Sequence, residues 1–191
     1  MDGETNRIVS AILHVSRKSG ALATSDAELT ARAILAACAD WEAGARGFVT
    51  PELKDTPPWA AYEMNILRLG RAIDLVIRKL GIWTGRGPVL DASAAVFAEV
   101  RYGRGRQSFM ATVGEHGGGA YGAETAALID EEAMAGYAIK ALHRAKNGEY
   151  FVQVSAACDR GRPWVQMAAR AYLQEFGRPS SRARAAARAL P

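Results

Sequence analysis

The sequence predicts an α+β fold, with a three-helix bundle at residues 1–86 and a small ββαβα domain at residues 87–177. Two observations support this prediction. Apolar residues recur at helical spacing as far as residue 80, but beyond residue 95 they alternate with polar residues, as in a half-buried strand. A break rich in glycine and proline at residues 81–88 separates the two patterns. We therefore expect the later helices to cover one face of a short sheet, followed by a basic tail at residues 178–191.

The first two helices are predicted from apolar spacing and from a capping signal. Residues 5–18 carry an apolar residue every three or four positions. Residues 25–28, Ser-Asp-Ala-Glu, match a capping box, so the second helix is expected to begin there and to run to about Ala43. The polar, glycine- and proline-containing residues 44–58 are expected to form a connector.

The third helix has the clearest pattern in the chain. Seven apolar residues are spaced alternately by three and four positions, as in a two-position heptad seam. The seam either packs on the two preceding helices or forms the contact of a homodimer. Gly70 lies beside it and would let another helix approach closely. The seam residues are Trp59, Tyr62, Ile66, Leu69, Ile73, Val76 and Leu80.

The second domain is predicted from alternation and from turn residues. Residues 96–102 and 107–113 alternate as two strands around a turn at residues 103–105. A glycine-rich loop is expected at residues 114–122, followed by a long helix at 123–146. A third strand at residues 150–154 and a last helix that ends near Phe176 complete the domain.

The glycine-rich loop is the first candidate site. Residues 117–122, Gly-Gly-Gly-Ala-Tyr-Gly, match G-x-G-x-x-G ahead of a predicted helix, where exposed backbone amides attract phosphate. We interpret the segment as a plain connecting loop or, alternatively, as an anion-binding site. Its residues are Gly117, Gly118, Gly119 and Gly122.

Two family resemblances suggest alternative functions. Residues 115–120 resemble the acyl-CoA-binding loop of the Gcn5-related N-acetyltransferases, with Glu115 where that family has glutamine or arginine. This resemblance implies a small transferase that binds acyl-CoA or another phosphate ligand. Residues 90–159 resemble a ribonuclease H domain, with Asp91 and Glu132 as two of its metal-binding acids and Ala156 where a third would stand. This second resemblance implies a degenerate nuclease domain.

The positive charge of the chain is concentrated at its C-terminal end. Residues 160–191 hold seven arginines against one acid, so their net charge of +6 exceeds the +4 of the whole chain. Such a segment binds phosphate through charge alone, which predicts contact with nucleic acid or another polyanion. Besides Arg170, these arginines are the predicted nucleic-acid-binding residues Arg160, Arg162, Arg178, Arg182, Arg184 and Arg188.

Composition limits the classes of protein to which the chain can belong. No apolar run is long enough to span a membrane, so no membrane contact is expected. Cys38 and Cys158 have no metal-ligand or disulfide spacing, which indicates a reducing cytoplasm, and neither a metal nor a cofactor is predicted. We therefore predict a cytoplasmic, non-enzymatic accessory protein of bacterial or phage type, whose basic end contacts an anionic partner.

Overall fold

A computed structural model describes residues 3–46, 62–81 and 83–177. These residues form nine α-helices and contain no β-strand. Two 3-10 turns, Val100–Gly105 and Gly118–Tyr121, join consecutive helices in the second half of the chain. The helices are α1 (Gly3–Val15), α2 (Gly20–Arg46), α3 (Tyr62–Leu80), α4 (Arg86–Ala98), α5 (Arg106–His116), α6 (Gly122–Ala126), α7 (Ala135–Arg144), α8 (Phe151–Arg160) and α9 (Pro163–Phe176).

The predicted α+β class is therefore wrong, and so are the three predicted strands. Residues 96–102 belong to the end of α4 and to the 3-10 turn after it. The apparent alternation does not match burial, since Val96 and Tyr102 are buried whereas Val100 is 70% exposed. The true period is helical: Val89, Ser93 and Val96 succeed one another at intervals of four and three, all buried.

The second predicted strand, residues 107–113, lies within α5. Seven of the eleven residues of this helix are buried, because α3, α4 and α7 all pack against it. Outside the last residue, only a narrow strip of this helix, Gln107, Ala111 and Glu115, is not buried, so it has no broad polar face and its helical period is weak. A short apolar run of this kind cannot be assigned to helix or strand from its sequence alone.

The third predicted strand, residues 150–154, lies in the first turn of α8. The β-branched and aromatic residues here favour a strand by intrinsic propensity, but packing on α9 decides for a helix. Only Val154 and Ala157 of α8 are buried, whereas Val152 is 79% exposed.

The glycine-rich segment and the long helix after it also differ from prediction. Helix α5 continues as far as His116, so only residues 117–121 connect it to α6. The expected helix at 123–146 is divided into α6 and α7 by a series of turns at residues 127–134. The Glu131 carboxylate in these turns forms an ion pair with the buried side chain of Arg106. This ion pair connects the turns to α5.

The N-terminal half is helical as predicted, with different boundaries. Helix α2 begins at Gly20, so the predicted capping box at residues 25–28 lies inside the helix and Ser25 is exposed. Asp26 instead pairs with Lys18 of the preceding turn. Most of the predicted connector at 44–58 lies outside the described residues.

A single hydrophobic cluster extends from Ile8 in α1 to Tyr172 in α9, and it crosses the domain boundary predicted between residues 86 and 87. Helix α5 is central to it: α3 and α4 lie against one part of its surface and α7 against another. Helices α8 and α9 pack beyond α7. Among the described residues, no helix has both the length and the apolar character needed to cross a membrane.

Candidate functional site

Two glycines set the spacing of the three helices that carry the candidate site. A Cβ atom on Gly70 of α3 would overlap Ser108 and lie 2.9 Å from the Phe109 ring, so the backbone of α3 touches side chains of α5 here. A Cβ atom on Gly114 of α5 would lie 2.6 Å from the Ala141 Cα atom of α7. Because both contacts require glycine, α5 sits deep between α3 and α7.

This arrangement forms a surface groove, with α5 as its floor and α3 and α7 as its walls. The groove encloses about 260 Å³. Its floor is partly polar, since α5 contributes Gln107 and Ser108 beside Ala111. The lining residues are Leu67, Arg71 and Asp74 from α3, Gln107, Ser108 and Ala111 from α5, and Tyr137, Lys140, Ala141 and Arg144 from α7.

The surface around the groove is positively charged. Six exposed cationic side chains lie on the outer faces of α3 and α7, against two carboxylates, Asp74 and Glu115. This excess of four positive charges contrasts with residues 1–159 as a whole, whose net charge is −2 once the +6 of the C-terminal end is removed from +4. The cations are Arg68, Arg71, Arg78, Lys79, Lys140 and Arg144, and we refer to them as the basic face.

The two carboxylates on this surface are both engaged. Asp74 accepts a hydrogen bond from Arg78 at 3.1 Å and lies 2.9 Å from the Nε2 atom of His116. Glu115 lies 3.8 Å from both Arg78 and Arg144. Asp74 is itself one of the groove-lining residues, so it offsets part of the charge in the groove, whereas Glu115 lies outside the groove lining.

Arg71 and Lys140 are left with their charges uncompensated. They line the groove from opposite walls, and within the described part of the chain neither makes an ion pair. The side-chain amide of Gln107, on the floor between the two walls, makes no hydrogen bond to any described residue. An anionic group in the groove would therefore meet two free cations and a free amide.

An aromatic pair adjoins the other end of the groove. Tyr137 lines both the groove and a neighbouring recess that contains Arg104, Arg162 and Trp164. The Tyr137 and Trp164 ring centroids lie 5.4 Å apart, with a tilt of 58° between the planes. The indole ring covers Gly136, where any side chain would overlap it. Both rings are half-buried, so part of each remains accessible.

The predicted anion-binding glycines lie elsewhere, beyond the end of α5. Gly117, Gly118 and Gly119 form the turn before α6, and Gly122 is its first residue. The Gly117 amide donates to the Val113 carbonyl at 2.7 Å, and the Gly122 amide donates to the Gly119 carbonyl. At least two of the predicted phosphate-binding amides are thus already used within the protein. Anion binding by this turn stays a prediction.

The two resemblances rest on sheet folds that the described residues do not contain. Residues 107–113, the expected strand before the acyl-CoA loop, are helical. Asp91 and Glu132 do not end neighbouring strands: Asp91 accepts a hydrogen bond from the Tyr121 hydroxyl at 2.7 Å, and Glu132 pairs with Arg162. Burial and the Asp91 contact raise the pKa of Tyr121, which keeps this phenol protonated. In the described residues, no three histidine, cysteine or acidic side chains are grouped so as to hold a metal ion.

The predicted nucleic-acid-binding arginines fall into two sets. Arg160 pairs with Asp130, and Arg162 pairs with Glu132, so both connect the α8–α9 turn to the turns before α7. These pairs are exposed and leave the outer side of each guanidinium open to solvent. The remaining four, Arg178, Arg182, Arg184 and Arg188, lie outside the described residues.

The predicted seam is in the interior of the helical array. Four of its seven side chains are buried, and Tyr62 and Leu80 at its ends are half-buried. Trp59 lies outside the described residues. The buried positions, Ile66, Leu69, Ile73 and Val76, contribute to the common core and do not form a free surface. A homodimer stays a prediction, and it would have to use another face.

The basic face was not predicted from the sequence, because the C-terminal arginines form the more obvious concentration of positive charge. The signal is present in α3: Arg68, Arg71 and Arg78 recur at helical intervals on the outer face, with Asp74 as the one acid between them. Lys140 and Arg144 repeat the pattern one turn apart in α7. Same-sign charges at such spacing repel each other, so they indicate a surface that binds an opposite charge.

Compared with family models, with curated proteins and with solved structures, the chain has no match in any of the three.

Proposed function

We propose that the protein binds the phosphate backbone of a nucleic acid in the groove between α3, α5 and α7. The single observation that carries this proposal is the pair of uncompensated cations, Arg71 and Lys140, on opposite walls of a groove with a polar floor. Two cations that line one groove, neither of them in an ion pair with a described residue, favour an anionic ligand there, and only the Asp74 carboxylate in the lining opposes it. A phosphate chain that lies along the groove supplies this anion.

The size of the basic face favours a polymer over a single small anion. Arg68 and Lys79 are eleven residues apart on α3, which corresponds to about 16 Å along the helix. A chain with a regular repeat of phosphates can contact several of these cations at once, and each contact releases a counterion. Such binding is strong at low salt and independent of base sequence.

We include the C-terminal arginines in the same proposed binding site. The described chain ends at Gly177, next to the C-terminal end of α7: Phe176 packs edge-on against His143, with ring centroids 6.0 Å apart, and Glu175 binds Lys146 at 2.8 Å. Arg144, at one end of the groove, is adjacent to His143. The C-terminal arginines follow this point in sequence, and we assign them to the same ligand.

We propose that the protein acts in the cytoplasm. Both cysteines are free thiols, and Cys38 is buried in the core. Unpaired thiols are typical of proteins that work in a reducing environment. The protein acts here as an accessory factor that holds a nucleic acid.

Salt-dependent binding of a labelled oligonucleotide tests the proposal. The doubly substituted chain Arg71→Gln/Lys140→Gln should bind more weakly, and its slope of log affinity against log salt should be smaller by about 0.7 to 0.9 for each phosphate that is no longer neutralised. Arg17→Gln/Arg32→Gln removes the same charge from exposed positions of α1–α2 and serves as the matched control. Equal losses of affinity in both variants would show that net charge alone governs binding and would refute the groove as its site.

A chain ending at Gly177 tests the contribution of the basic tail. It should keep the groove-dependent part of the affinity and lose the rest. If this chain lost all binding, the groove would not be the primary site.

A further inference from the structure

The aromatic pair at the end of the groove has no evident role in binding phosphate. Tyr137 shares one face of α7 with Lys140 and Arg144, at intervals of three and four residues. Its ring therefore lies in line with the cations and borders both the groove and the recess that holds Trp164. Within the described part of the chain, the Tyr137 hydroxyl makes no hydrogen bond.

The position of Trp164 is not explained by core packing alone. It is the second residue of α9, and its ring is only half-buried, against Gly136 and Tyr137. A large aromatic ring left partly open beside a cationic groove provides a flat apolar surface for a ligand. Arg104, Arg162 and Glu132 line the same recess. Because Arg162 pairs with Glu132, the charged border of this surface is mixed, with one arginine in excess.

The two kinds of surface match the two parts of a nucleotide. Phosphates pair with cations, and bases stack on aromatic rings when they are not paired with another strand. In a duplex the base faces are covered by neighbouring base pairs, and only their edges are accessible in the grooves. Aromatic rings aligned with a phosphate-binding groove thus discriminate in favour of unpaired bases.

We infer that the ligand is a single-stranded nucleic acid, with its phosphates along Arg71 and Lys140 and one or two bases stacked against Tyr137 and Trp164. This inference rests on the proposed function, since it takes the groove as the phosphate site. It adds that the affinity has a component from the bases, independent of base identity, because every base has a stacking face.

The test compares three ligands of equal length on the full chain: an oligothymidylate, an abasic strand with the same phosphates, and a duplex. We expect oligothymidylate to bind roughly five- to a hundredfold more tightly than the abasic strand, the range that base stacking on aromatic side chains supports. Tyr137→Leu should reduce this difference, because one of the two stacking rings is lost, and circular dichroism checks that the helical fold is intact. Phe151→Leu, an exposed aromatic position that lines neither the groove nor the recess, is the matched control.

A second measurement follows the tryptophan fluorescence. Oligothymidylate should quench it and the abasic strand should not, and Trp164→Phe should remove the quenching although three other tryptophans remain.

The outcomes separate this inference from the proposed function. Equal binding of oligothymidylate and abasic strand, both weakened by Arg71→Gln/Lys140→Gln, would refute stacking and leave phosphate binding in place. Tighter binding of the duplex would likewise overturn the single-strand assignment. If poly-glutamate of equal charge competed as well as oligothymidylate, the ligand would be an acidic polypeptide, and both proposals would fail.

Discussion

The Thr112 hydroxyl of α5 lies 3.2 Å from the Gly70 carbonyl oxygen of α3 and donates to it, besides its bond to the Ser108 carbonyl at 2.9 Å within its own helix. A side-chain hydrogen bond between two helix backbones is possible only where the helices are very close. Gly70 makes this approach possible because it has no Cβ atom, and Thr112 is fully buried at the contact. The contact between Thr112 and Gly70 lies beneath the groove and therefore fixes how deeply α5, its floor, is set against α3.

Substitution of Gly70 should separate α3 from α5. The added Cβ atom of Gly70→Ala would overlap Ser108 and the Phe109 ring, so we expect a loss of about 1–3 kcal/mol in the free energy of unfolding. Chemical denaturation measures this loss. Gly44→Ala is the control: it lies in α2, where a Cβ atom meets nothing, and it should stabilise the helix by up to about 1 kcal/mol. Equal stability of the two variants would contradict the close contact.

Among the charged residues that the structure describes, we expect substitution of Arg106 to lower the free energy of unfolding the most. Its side chain is 2% exposed, donates to the Gly103 carbonyl at 3.0 Å and pairs with Glu131. Arg106→Met should cost about 1–3 kcal/mol, because it leaves the half-buried Glu131 carboxylate and the half-buried Gly103 carbonyl without their donor. Adding Glu131→Gln should restore part of the stability, since the orphaned charge is then gone. A double variant no more stable than Arg106→Met alone would show that the ion pair itself contributes little.

The sequence predicts the helices that have one polar face and fails for those that do not. Helix α9 ends at Phe176 as expected, and the seam of α3 is recognisable because the outer face of that helix is charged. Helix α5 has no such face, and β-branched residues in α8 favour the wrong element. In both cases contacts with neighbouring helices, which a local pattern does not contain, decide the conformation.

The candidate site is harder to predict because its parts are distant in sequence. Arg71 and Lys140 are 69 positions apart and meet only because α5 packs between their helices. The sequence predicts that a helix can approach closely at Gly70, but nothing in it shows that this helix is residues 106–116. The charge pattern of α3 can be read from the sequence, whereas the groove requires the fold.

The buried thiol of Cys38 should make the protein less stable at alkaline pH. Burial raises its pKa from 9.0 to about 12. Above pH 9 the unfolded chain therefore loses a proton that the folded chain keeps, and the free energy of unfolding falls as the pH rises. From pH 7 to 11 the loss from this group should be about 2–3 kcal/mol. Urea denaturation across this range measures it.

Cys38→Ala is the comparison that isolates the thiol. The tyrosines with raised pKa values, Tyr102, Tyr121 and Tyr172, destabilise the folded state above pH 10 in the same direction, and they do so in both chains. The variant begins less stable because of the cavity it creates, but its stability should fall less steeply with pH. Parallel curves for the two chains would contradict a raised pKa for Cys38.

Removing the negative charge of Asp74 should strengthen nucleic-acid binding. Asp74 lines the groove, pairs with Arg78 and lies 2.9 Å from the Nε2 atom of His116. In Asp74→Asn the amide oxygen can still accept the His116 hydrogen bond, so the fold should be preserved while the basic face gains one net positive charge. We expect affinity for a single-stranded oligonucleotide to rise roughly fivefold at low salt, equivalent to about 1 kcal/mol, and the gain to shrink as salt screens the charge. Asp40→Asn, an exposed acid on α2, makes the same change in net charge away from the groove and should have a smaller effect. An equal gain from both variants would place the ligand outside the groove.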